Sequence, residues 1–155
     1  KELKSEKAIE RQKKLQKLEV PKSSSIKSID ELAVNSGVLL VATKQLNEQV
    51  PELYKRTIGE TVDGVTEVTT DKPTLEELED VAKTILVQIQ TVSDYSSIAT
   101  NVAGDVKSAN PLSAGKALKS INFSKDVLSL TLPELNNNLV VIKNLISTIK
   151  SSNNL

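Results

Sequence analysis

The chain has 155 residues, and its 20 Lys and Arg residues balance its 20 Asp and Glu residues. Binding to nucleic acid requires an excess of cationic side chains, so we expect no nucleic-acid partner. The absence of Cys and His excludes disulfides, thiolate metal sites and catalysis by either side chain. With only two Tyr, one Phe and no Trp, the core must be built from aliphatic side chains.

The chain begins at Lys1 instead of Met, which predicts a processed product or a fragment. Its longest apolar run, at residues 38–42, is far shorter than the ~18 residues that a membrane-spanning helix needs. We therefore expect no transmembrane span, although a membrane tether upstream of the chain is compatible with the sequence.

Residues 1–19 are good helix formers, with seven Lys and Arg residues against four Glu. One interpretation of this segment is a helix or basic arm that binds a partner or a negative surface. The other, which we favour, is a solvated helix or stalk that leads into the domain. Pro21 ends the segment, because proline disfavours α geometry in the residue before it, and a serine-rich linker follows. We divide the chain into a charged N-terminal helix or stalk at residues 1–21 and a helical-bundle domain at residues 22–155.

The second predicted helix begins near Ser28. Ser28 and Glu31 match a capping box, in which two side chains satisfy backbone N–H groups at a helix start. Gly59 predicts the end of this helix. Leucines recur every seven residues between these points, which places them on one side of the helix: Leu32, Leu39, Leu46 and Leu53.

Residues 59–73 interrupt the helical pattern. The turn dipeptide Asp63-Gly64 lies between Val62 and Val65, so a small hairpin is one interpretation, but we expect a long irregular loop. Long loops often carry function, and this segment is our first candidate for an interaction surface. Its candidate residues are Glu60, Asp63, Gly64, Glu67 and Asp71.

The third predicted helix has the clearest pattern. Thr74 and Glu77 match a second capping box directly after Pro73. The residues that follow alternate by three and four positions, which indicates coiled-coil-like packing along a helix of 34 residues and about 50 Å. The stripe consists of Leu75, Leu78, Ala82, Ile85, Ile89, Val92, Ser96, Ala99, Ala103 and Val106.

The fourth predicted helix starts near Ser113, after a turn at Asn110 and Pro111. Only Lys125 interrupts its apolar stripe. Lys125 is either an interior cation that binds an anion or a long side chain whose head reaches water, and we expect the second. The stripe consists of Ala114, Leu118, Ile121, Leu128, Leu132, Leu135, Leu139, Ile142, Ile146 and Ile149.

Pro51 and Pro133 lie at similar depths in the second and fourth helices, each followed by Glu-Leu. Each should kink or break its helix, because proline removes a backbone hydrogen bond; Thr131 and Glu134 could instead cap a new helix. These helices run parallel in an up-down bundle, so the kinks would fall at one level and could open an apolar groove. We favour the alternative, in which the match is chance and the lining residues are core. They are Val50, Leu53, Ala99, Ala103, Leu132 and Leu135.

The sequence contains no recognisable catalytic motif. It has no phosphate-binding glycine loop, no calcium loop and no Glu-x-x-His pair. The acidic cluster at residues 76–80 is explained by the first turn of a helix, where negative charge is favourable. We therefore expect no enzyme activity, no metal and no cofactor.

The composition is rich in Lys, Asn and Ser, lacks Cys and has a charged helical lead. In this it resembles the mature part of small bacterial envelope proteins, including lipoproteins tethered by an upstream segment. The resemblance is one of composition and covers no specific motif. It implies an extracytoplasmic location: periplasmic, membrane-tethered or secreted.

These observations predict an all-α fold, an antiparallel up-down helical bundle of three long helices plus a charged N-terminal helix. The function that we expect is that of a non-catalytic structural or protein-interaction module of the bacterial cell envelope, with a protein partner or self-association. The alternative is binding of an apolar small molecule or lipid between kinked helices. A membrane-inserting helical component is a third hypothesis.

Overall fold

The computed structural model describes residues 6–62, 65–67 and 72–153. The predicted all-α bundle is confirmed: α4 packs along both α2 and α3, and α1 lies against α4. A short 3-10 helix at Ala103–Ser108 connects the last two helices. The elements are α1 (Glu6–Lys17), α2 (Lys27–Ile58), β1 (Glu60–Val62), β2 (Val65–Glu67), α3 (Leu75–Val102) and α4 (Pro111–Asn153).

Three clusters of buried side chains hold the helices together. The largest joins the second half of α2, the first part of α3 and the second half of α4. The second joins the start of α2, the end of α3 and the start of α4. The third joins α1 to α2 and α4. The contacts in these clusters make α2 and α4 parallel, with α3 antiparallel to both.

The buried side of α4 is wider than its predicted apolar stripe, because α4 contacts three other helices. Leu118 and Leu132 were predicted to be core but are 52% and 37% exposed. Lys125 is exposed, as predicted. Polar side chains take buried positions on this helix instead: Ser120, Ser124, Thr131, Glu134 and Asn138.

The predicted stripe on α3 is partly wrong. Its positions at Leu78, Ile85, Val92 and Ala99 are buried, but Ser96 is exposed. The helix has 28 residues instead of the predicted 34, because the six residues that follow it form the 3-10 helix. This 3-10 segment contains a glycine, which disfavours α-helix by about 1 kcal/mol.

The predicted capping box at Ser28 is wrong. The Ser28 hydroxyl donates to the Asp105 carboxylate at 2.7 Å, across the bundle, and α2 begins after Ile26 without a side-chain cap. Asp30 instead accepts hydrogen bonds from the hydroxyls of Ser23 and Ser24 at 2.6 and 2.7 Å, and from the Ser24 backbone N–H at 2.8 Å. The predicted linker is therefore tied to the first turn of α2.

These hydrogen bonds affect the ionisation of Asp30. Partial burial raises the pKa of its carboxyl group, but the hydrogen bonds from Ser23, Ser24 and the Ser25 backbone outweigh burial, and the pKa is lowered overall. A carboxylate with a lowered folded-state pKa stabilises the fold above its unfolded-state pKa. This stabilisation is lost as the pH falls through the folded-state pKa.

We expect Asp30→Asn to lower the free energy of unfolding by about 1 kcal/mol at neutral pH, the size of a typical hydrogen-bond contribution. At low pH the carboxyl group is protonated in both states, so the difference between the two chains should shrink. Urea unfolding of both chains at pH 7 and near pH 2 measures this. A difference that does not depend on pH would contradict the role given to the Asp30 charge.

The predicted cap at the start of α3 is confirmed in part. Thr74 Oγ1 accepts a hydrogen bond from the Glu77 backbone N–H at 3.0 Å. The Glu77 carboxylate, however, binds Arg56 through two hydrogen bonds, of 2.8 and 3.3 Å. This ion pair connects the end of α2 to the start of α3. At the end of α2, Gly59 has a φ of 95°, as expected for the predicted C-cap.

The expected irregular loop between α2 and α3 contains a hairpin. Strands β1 and β2 pair antiparallel, with Val62 opposite Val65 and Glu60 opposite Glu67. The β-forming valines beside the turn dipeptide favour this pairing over an irregular course.

Pro51 and Pro133 do not break their helices, since α2 and α4 continue through them. The proposed new helix start at Thr131 is therefore also wrong. The Asn138 side chain donates to the Asn47 side chain at 3.0 Å, so these two residues lie at the same height along the parallel helices α2 and α4. Pro51 follows Asn47 by four residues and Pro133 precedes Asn138 by five, so the prolines are separated by about 14 Å along the bundle. The two prolines do not share one level.

Candidate interaction surfaces

The six residues of the predicted apolar groove do not come together. Val50, Leu53 and Leu135 are at most 2% exposed and belong to the largest core cluster. Ala99 lies in the second cluster, nearer the other end of the bundle. Leu132 is more than one-third exposed, and Ala103 is half-buried in the 3-10 helix. The structure therefore places four of these six residues in the core, in two separate clusters.

The predicted interaction loop is described only in part. Glu60 and Glu67 form the outer pair of the hairpin register. Asp63, Gly64 and Asp71 lie outside the described residues. The loop therefore stays a prediction.

A different apolar surface lies on the outer side of α2. Val34, Val38 and Val41 are 56%, 65% and 54% exposed, and their spacing of four and three residues places them on one side of the helix. Val20, which is 49% exposed, lies beside them. We call these four residues the valine face. Together with Gly37, Ala42 and Gln45 they line a surface groove.

Gly37 makes this arrangement possible. A Cβ atom at this position would lie 2.6 Å from Cγ2 of Val20, closer than any side chain tolerates. The missing side chain lets the segment before α2 lie directly on the helix. Gly37 is in the helix interior, where glycine is unfavourable by about 1 kcal/mol. The close approach of Val20 is a physical reason for a glycine at this position.

A second, more polar groove adjoins the valine face at Val34. It is lined by Ser25, Lys27, Asp30, Glu31, Val34 and Asn35. Lys27 lies 3.7 Å from Glu31 in an exposed ion pair, which contributes little to stability. The valine face thus has a charged border at the start of α2, as protein-interaction surfaces commonly do.

Sequence reasoning missed the valine face, although a signal for it was present. The leucine stripe of α2 fixes which side of the helix is buried, and Val34, Val38 and Val41 are out of phase with it. Residues 38–42 form a short apolar run in the sequence. That run includes Val38 and Val41 on the exposed side, whereas Leu39 and Leu40 are each 4% exposed.

The second candidate surface is the one that α1 occupies on α2 and α4. Leu15 of α1 is 1% exposed and packs in one cluster with Ala33, Leu40, Phe123 and Val127. The α1-binding surface is our name for five residues of α2 and α4: Ala33, Leu40, Phe123, Val127 and Glu134.

A buried carboxylate lies on the α1-binding surface. Glu134 is 1% exposed, and its Oε1 accepts a hydrogen bond from Nε of Arg11 at 3.1 Å. Gln12 approaches the other carboxylate oxygen at 3.5 Å. A buried carboxylate is costly unless a cation and hydrogen bonds compensate it. Arg11 is therefore the central polar contact between α1 and the bundle.

The described residues contain neither an acidic cluster for a metal ion nor a membrane-spanning helix. Across residues 6–62, 65–67 and 72–153, no group of three or more acidic side chains is arranged to hold a metal ion. None of the helices in these ranges combines the length and apolar character of a membrane span.

Comparison with models of protein families, with curated proteins and with solved structures finds no match to this chain. No site residue is carried over from a relative, and the functional argument depends on the surfaces described above.

Proposed function

We propose that this chain is a non-catalytic protein-interaction module, a helical bundle that binds a partner protein through its valine face. The observation that carries the proposal is the line of three valines, each more than half exposed, along the outer side of α2. Contiguous apolar patches on folded proteins commonly mark interaction sites. The charged border beside Val34 fits the same interpretation.

The geometry of the valine face suits an amphipathic helix of the partner. Its residues recur at helical spacing beside a groove, so that side chains from a second helix can pack between them. Full burial of a valine contributes roughly 1.5–3 kcal/mol, so each half-exposed valine offers roughly 1 kcal/mol to a complex. A set of four supports a weak or moderate interaction on its own, and tighter binding would need contacts at the border.

The alternative function, binding of an apolar ligand between kinked helices, has less support. Val50, Leu53 and Leu135 form packed core instead of lining a groove. The described grooves lie on the outer side of α2 and involve none of the six predicted lining residues. The proposed location, the bacterial cell envelope, is supported by the resemblance in composition alone.

Site-specific photo-crosslinking tests the valine face. A photoreactive amino acid replaces Val38, and the full chain is irradiated in an extract of the cells that produce it. We expect a discrete covalent adduct. Val41→Glu in the same chain should abolish the adduct without changing the melting temperature, because Val41 is exposed and a charge there opposes only binding.

Val140 provides the matched control. It is a valine on α4 with 58% exposure, outside the valine face. The same photoreactive residue at this position should give no such adduct. Equal adducts from both positions, or none from position 38, would rule out the valine face as the binding surface.

A further inference from the structure

Helix α1 buries few of its side chains against the bundle. Seven of its 12 residues are charged, and only Ala8 and Leu15 are buried. An isolated helix of about 12 residues is marginal in water. Its helical form therefore depends on contact with the α1-binding surface, and we expect α1 to separate from the bundle more readily than α2, α3 or α4 separate from one another.

The contacts of α1 have a definite spacing. Arg11 and Leu15 are four residues apart, so they lie on one side of the helix. Leu15 packs on the apolar part of the α1-binding surface and Arg11 reaches Glu134. Any occupant of this surface must place a cation and a leucine in the same positions.

The connection between α1 and α2 is long enough for exchange between molecules. Residues 18–26 lie outside both helices and, when extended, span about 30 Å. Ser25 in this segment has a φ of 68°, a conformation that is unfavourable for a residue other than glycine. Straightening the segment breaks its hydrogen bonds to Asp30, and relief of the strain at Ser25 offsets part of that cost.

We infer that the α1-binding surface accepts α1 either from its own chain or from a second copy, so that two copies exchange their N-terminal helices. In the exchanged dimer Arg11 of each copy pairs with Glu134 of the other, and Leu15 fills the same apolar contact. A second copy is the occupant because it carries the segment already seen on this surface. Exchange of an identical element is a low-cost route to a dimer. The inference does not depend on the valine face.

Charge reversal of the buried pair tests the exchange. The Arg11→Glu chain places two carboxylates together in its own molecule, and the Glu134→Arg chain places two guanidinium groups together. Exchange between these two chains restores an opposite-charge pair on both α1-binding surfaces. We expect each variant alone to be a monomer and their equimolar mixture to have twice the monomer mass, by light scattering coupled to size exclusion.

The double variant, with both reversals in one chain, is the matched control. Its charges are complementary within one molecule, so it should regain the melting temperature that each single variant loses. A mixture that stays monomeric while the double variant recovers would overturn the inference, because the pair would then act only within a chain.

A second assay covers the case in which Arg at position 134 does not fit. A fluorescent peptide of residues 6–20 is added to full-length chains and its anisotropy is measured. Arg11→Ala weakens the chain's own α1, so this chain should bind the peptide at least about tenfold tighter than the wild type. Lys14→Ala alters only an exposed ion pair with Glu10 and should leave the affinity unchanged. Equal affinity of the wild-type and Arg11→Ala chains would overturn the inference.

Discussion

Replacing Leu135 with Ala is expected to lower the free energy of unfolding by about 3 kcal/mol, whereas Leu132→Ala is expected to cost less than about 1 kcal/mol. Leu135 is 0% exposed in the largest core cluster, so its truncation leaves a cavity among α2, α3 and α4. Leu132 is 37% exposed, and water can occupy the space that its truncation opens.

Urea denaturation of the two variants and the wild type measures this difference. The chemical change is the same, the residues are three positions apart, and both lie in α4. Any effect on helix propensity is therefore shared, and only burial differs. Equal losses of stability would show that Leu132 is core after all and that the rotation of α4 is wrong.

The same pair of leucines shows what the sequence could and could not predict about packing. The alternation of three and four residues correctly indicated long amphipathic helices and therefore the bundle. It could not give the rotation of α4, because α4 contacts three helices and buries more than one stripe. Leu132 lies in the predicted stripe, yet Thr131 and Glu134 are the buried residues beside it.

The starts of α2 and α3 show that a cap is predictable only when the interactions of the capping side chain are local. Thr74 caps α3 because its partner, the Glu77 backbone N–H, is three residues away. Ser28 does not cap α2 because its hydroxyl binds Asp105, 77 residues later in the chain. A local sequence pattern contains the first interaction but not the second.

The candidate surfaces were harder to predict than the fold. The Arg11–Glu134 pair joins residues 123 positions apart, and no local pattern distinguishes Glu134 from an exposed glutamate. The valine face could have been found by asking which apolar residues of α2 the leucine stripe leaves out. Its exposure also depends on where α1 lies, which only the folded chain shows.

Replacing Pro133 with Ala is expected to raise the free energy of unfolding by about 2 kcal/mol. Proline in a helix interior is about 3 kcal/mol less favourable than Ala, and about 1 kcal/mol is offset because Ala leaves the unfolded chain more freedom. Pro133 has no N–H to donate to the Ser129 carbonyl, although α4 continues through this position. Urea unfolding measures the gain.

Pro111 is the matched control, because it is the first residue of α4. A backbone N–H at this position has no partner within the helix, and the ring of proline favours the helical φ. Pro111→Ala should therefore be neutral or lower the stability by less than about 1 kcal/mol. A gain in both variants would point to a general effect of removing proline.

The same substitution connects the helix interior to the α1-binding surface. Pro133 directly precedes Glu134, and a proline inside a helix changes the direction of the turn around it. If this turn aims Glu134 at Arg11, then Pro133→Ala should stabilise the bundle while it weakens the binding of α1. Hydrogen exchange separates the two effects, because the amides of α1 should exchange faster in the variant and those of α2 should exchange more slowly. Unchanged exchange in α1 would show that Pro133 does not help to orient the Glu134 carboxylate toward Arg11.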